Sequence, residues 1–369
     1  MLTIALTGGP CSGKSTAKEY IVRALESDGY KVLFCPETAT ELIPNGIAPG
    51  KDIPIDVYQR LVLKKQLNKE ELYQEAAKFF DKDKLIIVFD RGICDGMAYT
   101  NRENFENLLK EEGLTFASVY DRYDAVIHLT TTAKGALEYY NWNDGSGNDD
   151  GNAARSESPE EAIALDEKTL NSWVGHPHLR VFDNSTDFEE KMRRVVAEVR
   201  ALLGVPSPYE IERKFLIKMP TKAEMRRLGF VAKTNIIQTY LGKRGNTERR
   251  IRQRGTKENG YSFFYTEKTN ISKGTRKEVE EKISLARYAE LMTDSDTSLY
   301  QISKTRHCFV FDNRYFEMDI YPFSKEYAIL EIELDNIDEE INLPKLRVVK
   351  EVTDDPAYSN AELAKNPKL

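Results

Sequence analysis

Gly8-Gly9-Pro10-Cys11-Ser12-Gly13-Lys14-Ser15 is the stretch on which the reading of the first half of this chain turns. It fits G-x-x-x-x-G-K-S/T, follows the apolar run Leu2–Leu6 and leads into a helix-like segment from Ser15. Strand, glycine-rich turn and helix in that order make a phosphate-binding loop. Glycines such as Gly8 and Gly13 let the backbone curl until its N–H groups face one centre, and the helix adds its positive dipole end. Lys14 is placed to reach the β- and γ-phosphates, Ser15 to hold Mg²⁺, and Thr16 to complete the loop's contacts. The expected ligand is a nucleoside triphosphate, GTP or ATP.

The 369 residues exceed one ordinary domain, so two domains are expected. A net charge of −7 argues against broad nucleic-acid binding. Cys11, Cys35, Cys94 and Cys308 are scattered, with no C-x-x-C and no zinc spacing, which suits a reducing compartment. The chain enters a short strand directly, without the basic region and long apolar stretch of a signal peptide. No run approaches the roughly 18 apolar residues of a membrane span. A cytoplasmic protein without a transmembrane segment is the expectation.

Apolar strands alternate with amphipathic helices up to residue 203. The predicted strands are Leu2–Leu6, Lys31–Cys35, Leu85–Phe89, Ala125–Leu129 and Leu179–Phe182. The predicted helices are Ser15–Ser27, Ile55–Phe80, Glu103–Glu112, Pro159–Trp173 and Asp187–Leu203. Near-continuous apolar strands separated by helices indicate an α/β parallel sheet covered on both faces, with ligands at the carboxyl ends of its strands. Glu37, after the second strand, is a candidate base or Mg²⁺ contact. Asp90, ending the third, fits the Walker B acid that holds Mg²⁺ through water, and Arg91 would neutralise phosphate charge. The polar, glycine-rich stretch 141–152 followed by Arg155 stands where small kinases carry a lid with a phosphate-contacting arginine. Asn184, beyond the fifth strand, lies where a nucleotide base would sit.

Gly8–Ser15, Pro36-Glu37-Thr38-Ala39 and Asp90-Arg91 resemble the P-loop AAA domain shared by bacterial nicotinamide-ribonucleoside kinases and the TRPL-translocation-defect family. No N-K-x-D guanine reader is present: Asn68-Lys69 lies mid-helix and is followed by Glu71 instead of Asp.

Gly204 to Pro208 form a short stiff connection, placing the linker at 204–208 and the domains at 1–203 and 209–369. Beyond it the period becomes two. Charged residues alternate with apolar ones in seven predicted strands, around Glu210/Glu212/Lys214, Arg250/Arg252/Arg254, Lys268, Arg276/Glu278/Glu280, Lys304/Arg306, Glu317/Asp319 and Glu331/Glu333. A sheet with one apolar and one charged face can close into an antiparallel β-barrel whose charges line the lumen. Desolvated charges need partners or ligands, so the bases would grip phosphate oxygens and the carboxylates a divalent cation.

Glu210-x-Glu212-x-Lys214 is the signature of the CYTH family of triphosphate tunnel metalloenzymes, and the other pairs follow in that family's order. The resemblance implies metal roles for Glu210, Glu212, Glu331, Glu333 and Asp319, with Mg²⁺ or Mn²⁺ bound. Glu212 becomes catalytic through that cation. The same resemblance implies phosphate-gripping roles for Lys214, Arg250, Arg252, Lys268, Lys304 and Arg306, and leaves Arg254, Glu317 and Lys282 as structural or mouth residues. A P-loop domain fused to such a tunnel resembles the TRPL-translocation-defect proteins, which bind GTP and phospholipid. That implies a polyphosphate or anionic phospholipid headgroup as tunnel ligand and allows peripheral membrane contact. Three readings stand: a regulatory binding protein, a tunnel phosphohydrolase, and a small-molecule kinase using Glu37, Asp90 and Arg155.

Overall fold

Five short apolar runs bounded by turn residues become five parallel strands, because a strand buried on both faces needs no polar alternation. The computed structural model describes residues 1–140, 157–204, 211–242, 245, 247–272, 275–334, 339–353 and 355–369, with the side chains of 269–278 left undescribed. The chain divides into two units, Met1–Val205 and Pro206–Leu369.

The first unit runs β1 (Leu2–Gly8), α1 (Lys14–Ser27), β2 (Lys31–Cys35), α2 (Ala39–Leu42), α3 (Ile55–Ala77), β3 (Leu85–Asp90), α4 (Arg102–Glu111), α5 (Phe116–Tyr120), β4 (Ala125–Leu129), α6 (Pro159–Trp173), β5 (Leu179–Phe182) and α7 (Phe188–Leu202). The parallel sheet has the order β2-β3-β1-β4-β5. Every residue of β1 and β4 is buried. Ile4, Leu6, Val88, Ile127 and Leu129 pack against Ile21 and Leu25 of α1 and Met192, Val195 and Val199 of α7. Helix α6 starts at a capping box, in which Ser158 Oγ accepts the Glu161 N–H at 3.2 Å and Glu161 accepts the Ser158 N–H at 2.8 Å. Strand and helix positions follow the sequence pattern closely. One difference is α3, which ends at Ala77 and not Phe80. Phe79 and Phe80 extend the apolar pattern but lie past the helix, 89% and 39% exposed.

The second unit runs β6 (Ile211–Lys218), α8 (Lys222–Arg227), β7 (Ala232–Tyr240), β8 (Thr247–Thr256), β9 (Gly260–Ser272), β10 (Thr275–Ile283), α9 (Leu285–Met292), β11 (Ile302–Phe311), β12 (Arg314–Ile320), β13 (Tyr327–Leu334), β14 (Val348–Glu351) and α10 (Asn360–Lys365). Nine antiparallel strands, two more than the charge alternation indicates, take the order β10-β9-β8-β7-β11-β12-β13-β6-β14. This is the barrel-like tunnel class expected of the sequence. Phe215, Ile217, Phe309, Phe316, Met318, Leu330 and Ile332 form the apolar side, packed against Met225 of α8 and Leu228.

Direct cross-strand partners project to the same face. Register therefore carries the charged face across the sheet, through Lys268 opposite Glu248, Arg250 opposite Tyr240, Arg252 opposite Gln238, Arg306 opposite Asp319, Glu317 opposite Glu331, Glu331 opposite Lys214, and Glu333 opposite Glu212. Among the described residues, no helix is long and apolar enough to cross a membrane.

Candidate phosphate-binding sites

The loop between β1 and α1 folds as its glycines require. Gly8 (φ 142°) and Gly13 (φ 91°) take backbone conformations closed to most side chains. A Cβ at Gly8 would lie 2.1 Å from the Leu129 carbonyl oxygen, and one at Gly13 would lie 2.9 Å from the Phe188 ring. Cys11 (φ 52°) and Arg91 (φ 66°) are left-handed without being glycine. Such strain is costly and gathers at ligand sites. Lys14 Nζ donates to the Gly8 and Gly9 carbonyls at 3.1 Å each and to Ser12 Oγ at 3.3 Å. Burial, reinforced by the charge of Arg91, lowers its pKa to about 8.

The strand ends bring Glu37, Asp90 and Arg91 to this lysine, all within its electrostatic reach. Arg91 donates from Nε to Glu37 and from Nη1 to the Gly8 carbonyl at 3.2 Å. Against the effect of its burial, Tyr99, Glu37 and Asp95 hold its charge well above the usual range. Burial pushes the Asp90 carboxyl up, with Lys14 pulling the other way. Asp90 Oδ1 is buried and meets no donor among the described residues. A buried carboxylate oxygen without a donor fits a cation or its water ligand. Ser15 is exposed and Thr16 half-buried at the start of α1. Arg155 and the stretch 141–152 lie outside the described residues.

Three buried residues behind the loop escape motif reading. Asp95 accepts from Thr7 Oγ1, from the Gly92 N–H at 2.8 Å and from Trp173 Nε1 at 3.2 Å. Asp166 of α6 accepts the Gly9 N–H at 2.7 Å and stands 3.2 Å from His128 Nε2. Its burial opposes ionisation, but His128 and the Gly9 and Thr131 amides hold its carboxyl below the usual range. Lys191 of α7 donates to Asn184 Oδ1 at 2.7 Å. Asn184 also donates to the Thr131 and Lys134 carbonyls at 2.8 Å each, so its amide is engaged in holding two loops together. The available signal for Asp166 and Lys191 is a charged residue inside the buried stripe of an amphipathic helix, beside Ala162 and Thr169 or beside Met192 and Val195. A separate cleft of about 890 Å³ is lined by Thr3, Glu70, Arg122 and Asp124 among others and includes no residue of the Gly8–Ser15 loop.

In the second unit Arg306 is the hub. Nε and Nη2 each donate at 2.7 Å to Asp319, Nη2 donates at 2.8 Å to Glu331, and Nη1 donates to Glu317. Lys304 also pairs with Asp319. Lys214 bridges Glu212 at 2.9 Å and Glu331 at 3.1 Å. Burial opposes the Asp319 charge, yet Arg306 and Lys304 hold its carboxyl well below the usual range; Lys214 does the same for Glu331. Glu317 is pushed up by burial despite its bond to Arg306, because it shares that guanidinium with two stronger acids. Glu317, on the same face as Asp319, thus belongs to the charged cluster, and Arg254 acts on it electrostatically.

Arg252 donates from Nη2 to both oxygens of Glu280 at 2.8 Å. Its Nε–H is buried and reaches no acceptor among the described residues. Burial and the charges of Arg250, Arg254 and Arg306 lower its pKa. Crowded guanidinium groups with an unmatched buried donor fit an anion such as phosphate. Lys268 lies on the same face as these arginines. Glu210 is outside the described residues. Among the described residues no three metal-binding side chains are grouped to hold an ion. Glu212 and Glu333 are direct cross-strand partners, but Asp319 and Glu331 are engaged by lysine and arginine.

A family model described as an AAA domain (AAA_28) matches residues 3–191. Among solved structures, the inorganic triphosphatase NE1496 is 27% identical, covering 42% of this chain and 95% of its own, with a TM-score of 0.31. The PH1012 protein from Pyrococcus horikoshii OT3 is 14% identical, covering 35% of this chain and 82% of its own, with a TM-score of 0.27. No curated protein matches the chain. The first unit has the strand, loop and helix of a nucleotide-binding P-loop domain, and the chain belongs to the AAA domain family AAA_28.

Proposed function

We propose that the protein holds two phosphate centres: a nucleoside triphosphate with Mg²⁺ at Gly8–Thr16, and a polyphosphate on the charged face of the second unit, where it is hydrolysed. The observation that carries the second centre is the polarity of that face. Arg250, Arg252 and Lys268 stand on β8 and β9, the carboxylates Asp319, Glu331, Glu333 and Glu212 on β12, β13 and β6, and Lys304 and Arg306 on β11 between them. Arg252, with its unmatched donor, would bind phosphate oxygens together with Arg250 and Lys268. Glu212 and Glu333, with Glu210, would hold Mg²⁺ or Mn²⁺ once Lys214 withdraws to the phosphate. When bound, that cation supplies a water of lowered pKa and neutralises charge on the attacked phosphoryl group. In the first unit Asp90 and Ser15 would hold Mg²⁺, and Lys14 would turn from the loop carbonyls to the phosphates.

The kinase reading requires Glu37 as an acceptor of the substrate proton. Its ion pair with Arg91 favours a structural role over that one.

Phosphate release from pyrophosphate, tripolyphosphate, ATP and GTP, with Mg²⁺ or Mn²⁺, tests the proposal. Release that survives Lys14→Ala but is lost in Glu212→Gln and Arg252→Met is the expected result. No release from any substrate removes the hydrolytic step. Calorimetry with tripolyphosphate then decides whether the anion site stands alone. A parallel pelleting assay uses vesicles carrying anionic phospholipid; sedimentation abolished by Arg252→Met, without tripolyphosphate binding, would transfer the site to a lipid headgroup.

A further inference from the structure

Lys191 is a second lysine at the loop that the triphosphate reading leaves unused. It is 1% exposed, and its ammonium donates to Asn184 Oδ1 at 2.7 Å, the Thr130 carbonyl at 3.0 Å and the Ser12 carbonyl at 3.5 Å. Three acceptors match its three hydrogens, yet all three are neutral. Of the acids nearest it, Asp166 pairs with His128 and Asp183 with Arg194. A buried cation without a direct ion pair is expensive, and an aliphatic side chain would fit the stripe of Met192, Val195, Val196 and Val199 at less cost. The surrounding charges are Asp166 on α6 and Asp183 after β5, which favour the ammonium, and Arg194 on α7 and Lys14 on α1, which oppose it. Burial outweighs them and lowers its pKa to about 8.

The Ser12 carbonyl that Lys191 touches belongs to the same peptide as the Gly13 N–H. An ammonium on the oxygen polarises that peptide and makes its N–H a stronger donor to an anion in the loop. We propose that Lys191 is a positioning residue of the triphosphate site, a cation set behind the loop whose charge a polyphosphate anion in front of it would balance further. This inference rests on the loop holding a nucleoside triphosphate.

The test is calorimetry on the full chain at pH 8 with Mg²⁺–ATP and Mg²⁺–GTP, in two buffers of different ionisation enthalpy. The wild type is expected to take up a fraction of a proton on binding, because the incoming anion raises the pKa of Lys191. Lys191→Met and Lys191→Gln are expected to lose a large part of that uptake. Their affinity should fall by about tenfold, the order of a charge interaction across several ångströms at an effective dielectric near 20. Nucleotide-free thermal unfolding of the first unit should be unchanged or raised in Lys191→Met, since a buried charge is removed. Either variant binding with wild-type affinity and uptake would overturn the inference. So would an affinity loss accompanied by lower nucleotide-free stability and unaltered proton uptake, the mark of a purely structural lysine. Failure of the wild type to bind either nucleotide would bring down the triphosphate reading itself.

Discussion

Replacing Arg306 with Met isolates the best-connected charge of the second unit. Arg306 is 8% exposed and donates four hydrogen bonds to three carboxylates, two of them to Asp319, which is fully buried. Each charge-assisted bond contributes roughly 1.5–3 kcal/mol, but their sum overstates the effect, because forming the cluster already required desolvating every member. Removing one partner of a buried ion pair costs about 3–5 kcal/mol, since the acid is left uncompensated. With a urea m-value of about 2 kcal/mol/M, that moves the unfolding midpoint down by about 1.5–2.5 M. Trp173, fully buried in α6, gives a fluorescence signal for the first unit. Circular dichroism, after the tryptophan transition is subtracted, follows the second.

Acidification supplies the control. Asp319 and Glu331 are held below their unfolded values, so their contribution is present above the unfolded carboxylate range and is lost as pH falls through the folded values. Without Arg306 the carboxyl of Asp319 rises and protonates sooner. The gap between variant and wild type should therefore narrow toward about pH 4. A midpoint within about 0.5 M of wild type at pH 7, corresponding to about 1 kcal/mol, would refute the hub role.

Three further outcomes follow from the first unit. Lys14 and Lys191 titrate near pH 8 when folded against 10.5 unfolded, so the unfolded chain binds more protons between those values. Stability should rise with pH across that window, and a fluorescence-detected urea midpoint that falls between pH 8 and 9.5 would contradict it. Gly9→Ala sets a Cβ 2.7 Å from the Cβ of Asp166, so the loop must shift; nucleotide affinity should drop at least tenfold with the fluorescence-detected transition retained. Cys35, Cys94 and Cys308 are buried with thiols pushed up, Cys35 and Cys308 to about 11, leaving Cys11 as the residue a thiol reagent modifies in the native state. Mass spectrometry showing modification elsewhere first, or no protection of Cys11 by nucleotide, would count against the loop geometry.

Local pattern made much of this molecule legible. Lys31–Cys35, Ala125–Leu129 and Leu179–Phe182 fall where the apolar runs place them; Ala125–Leu129 shows the reason most plainly, since a strand buried on both faces is written as an uninterrupted run. Pro159–Trp173 is found at its predicted bounds because Ser158, Pro159 and Glu161 write its start in chemical terms. β7 was harder to see. Ala232 to Ile237 lack a regular charge alternation.

By itself the sequence determined the loop, the switch from helical to alternating period near residue 209, and the shared face of Arg250 and Arg252, of Lys304 and Arg306, and of Glu331 and Glu333. Those properties depend on neighbours a few positions apart, and backbone periodicity fixes them. Tertiary structure alone decided the order β10-β9-β8-β7-β11-β12-β13-β6-β14 and its register. It thereby set Arg306 on Asp319, Glu317 and Glu331, and turned Asp166 and Lys191 from surface-type residues into buried supports of the loop. Such pairings join residues separated by up to 179 positions in the chain. No local period encodes them, because they exist only once distant strands and helices have packed and water has been excluded from between them.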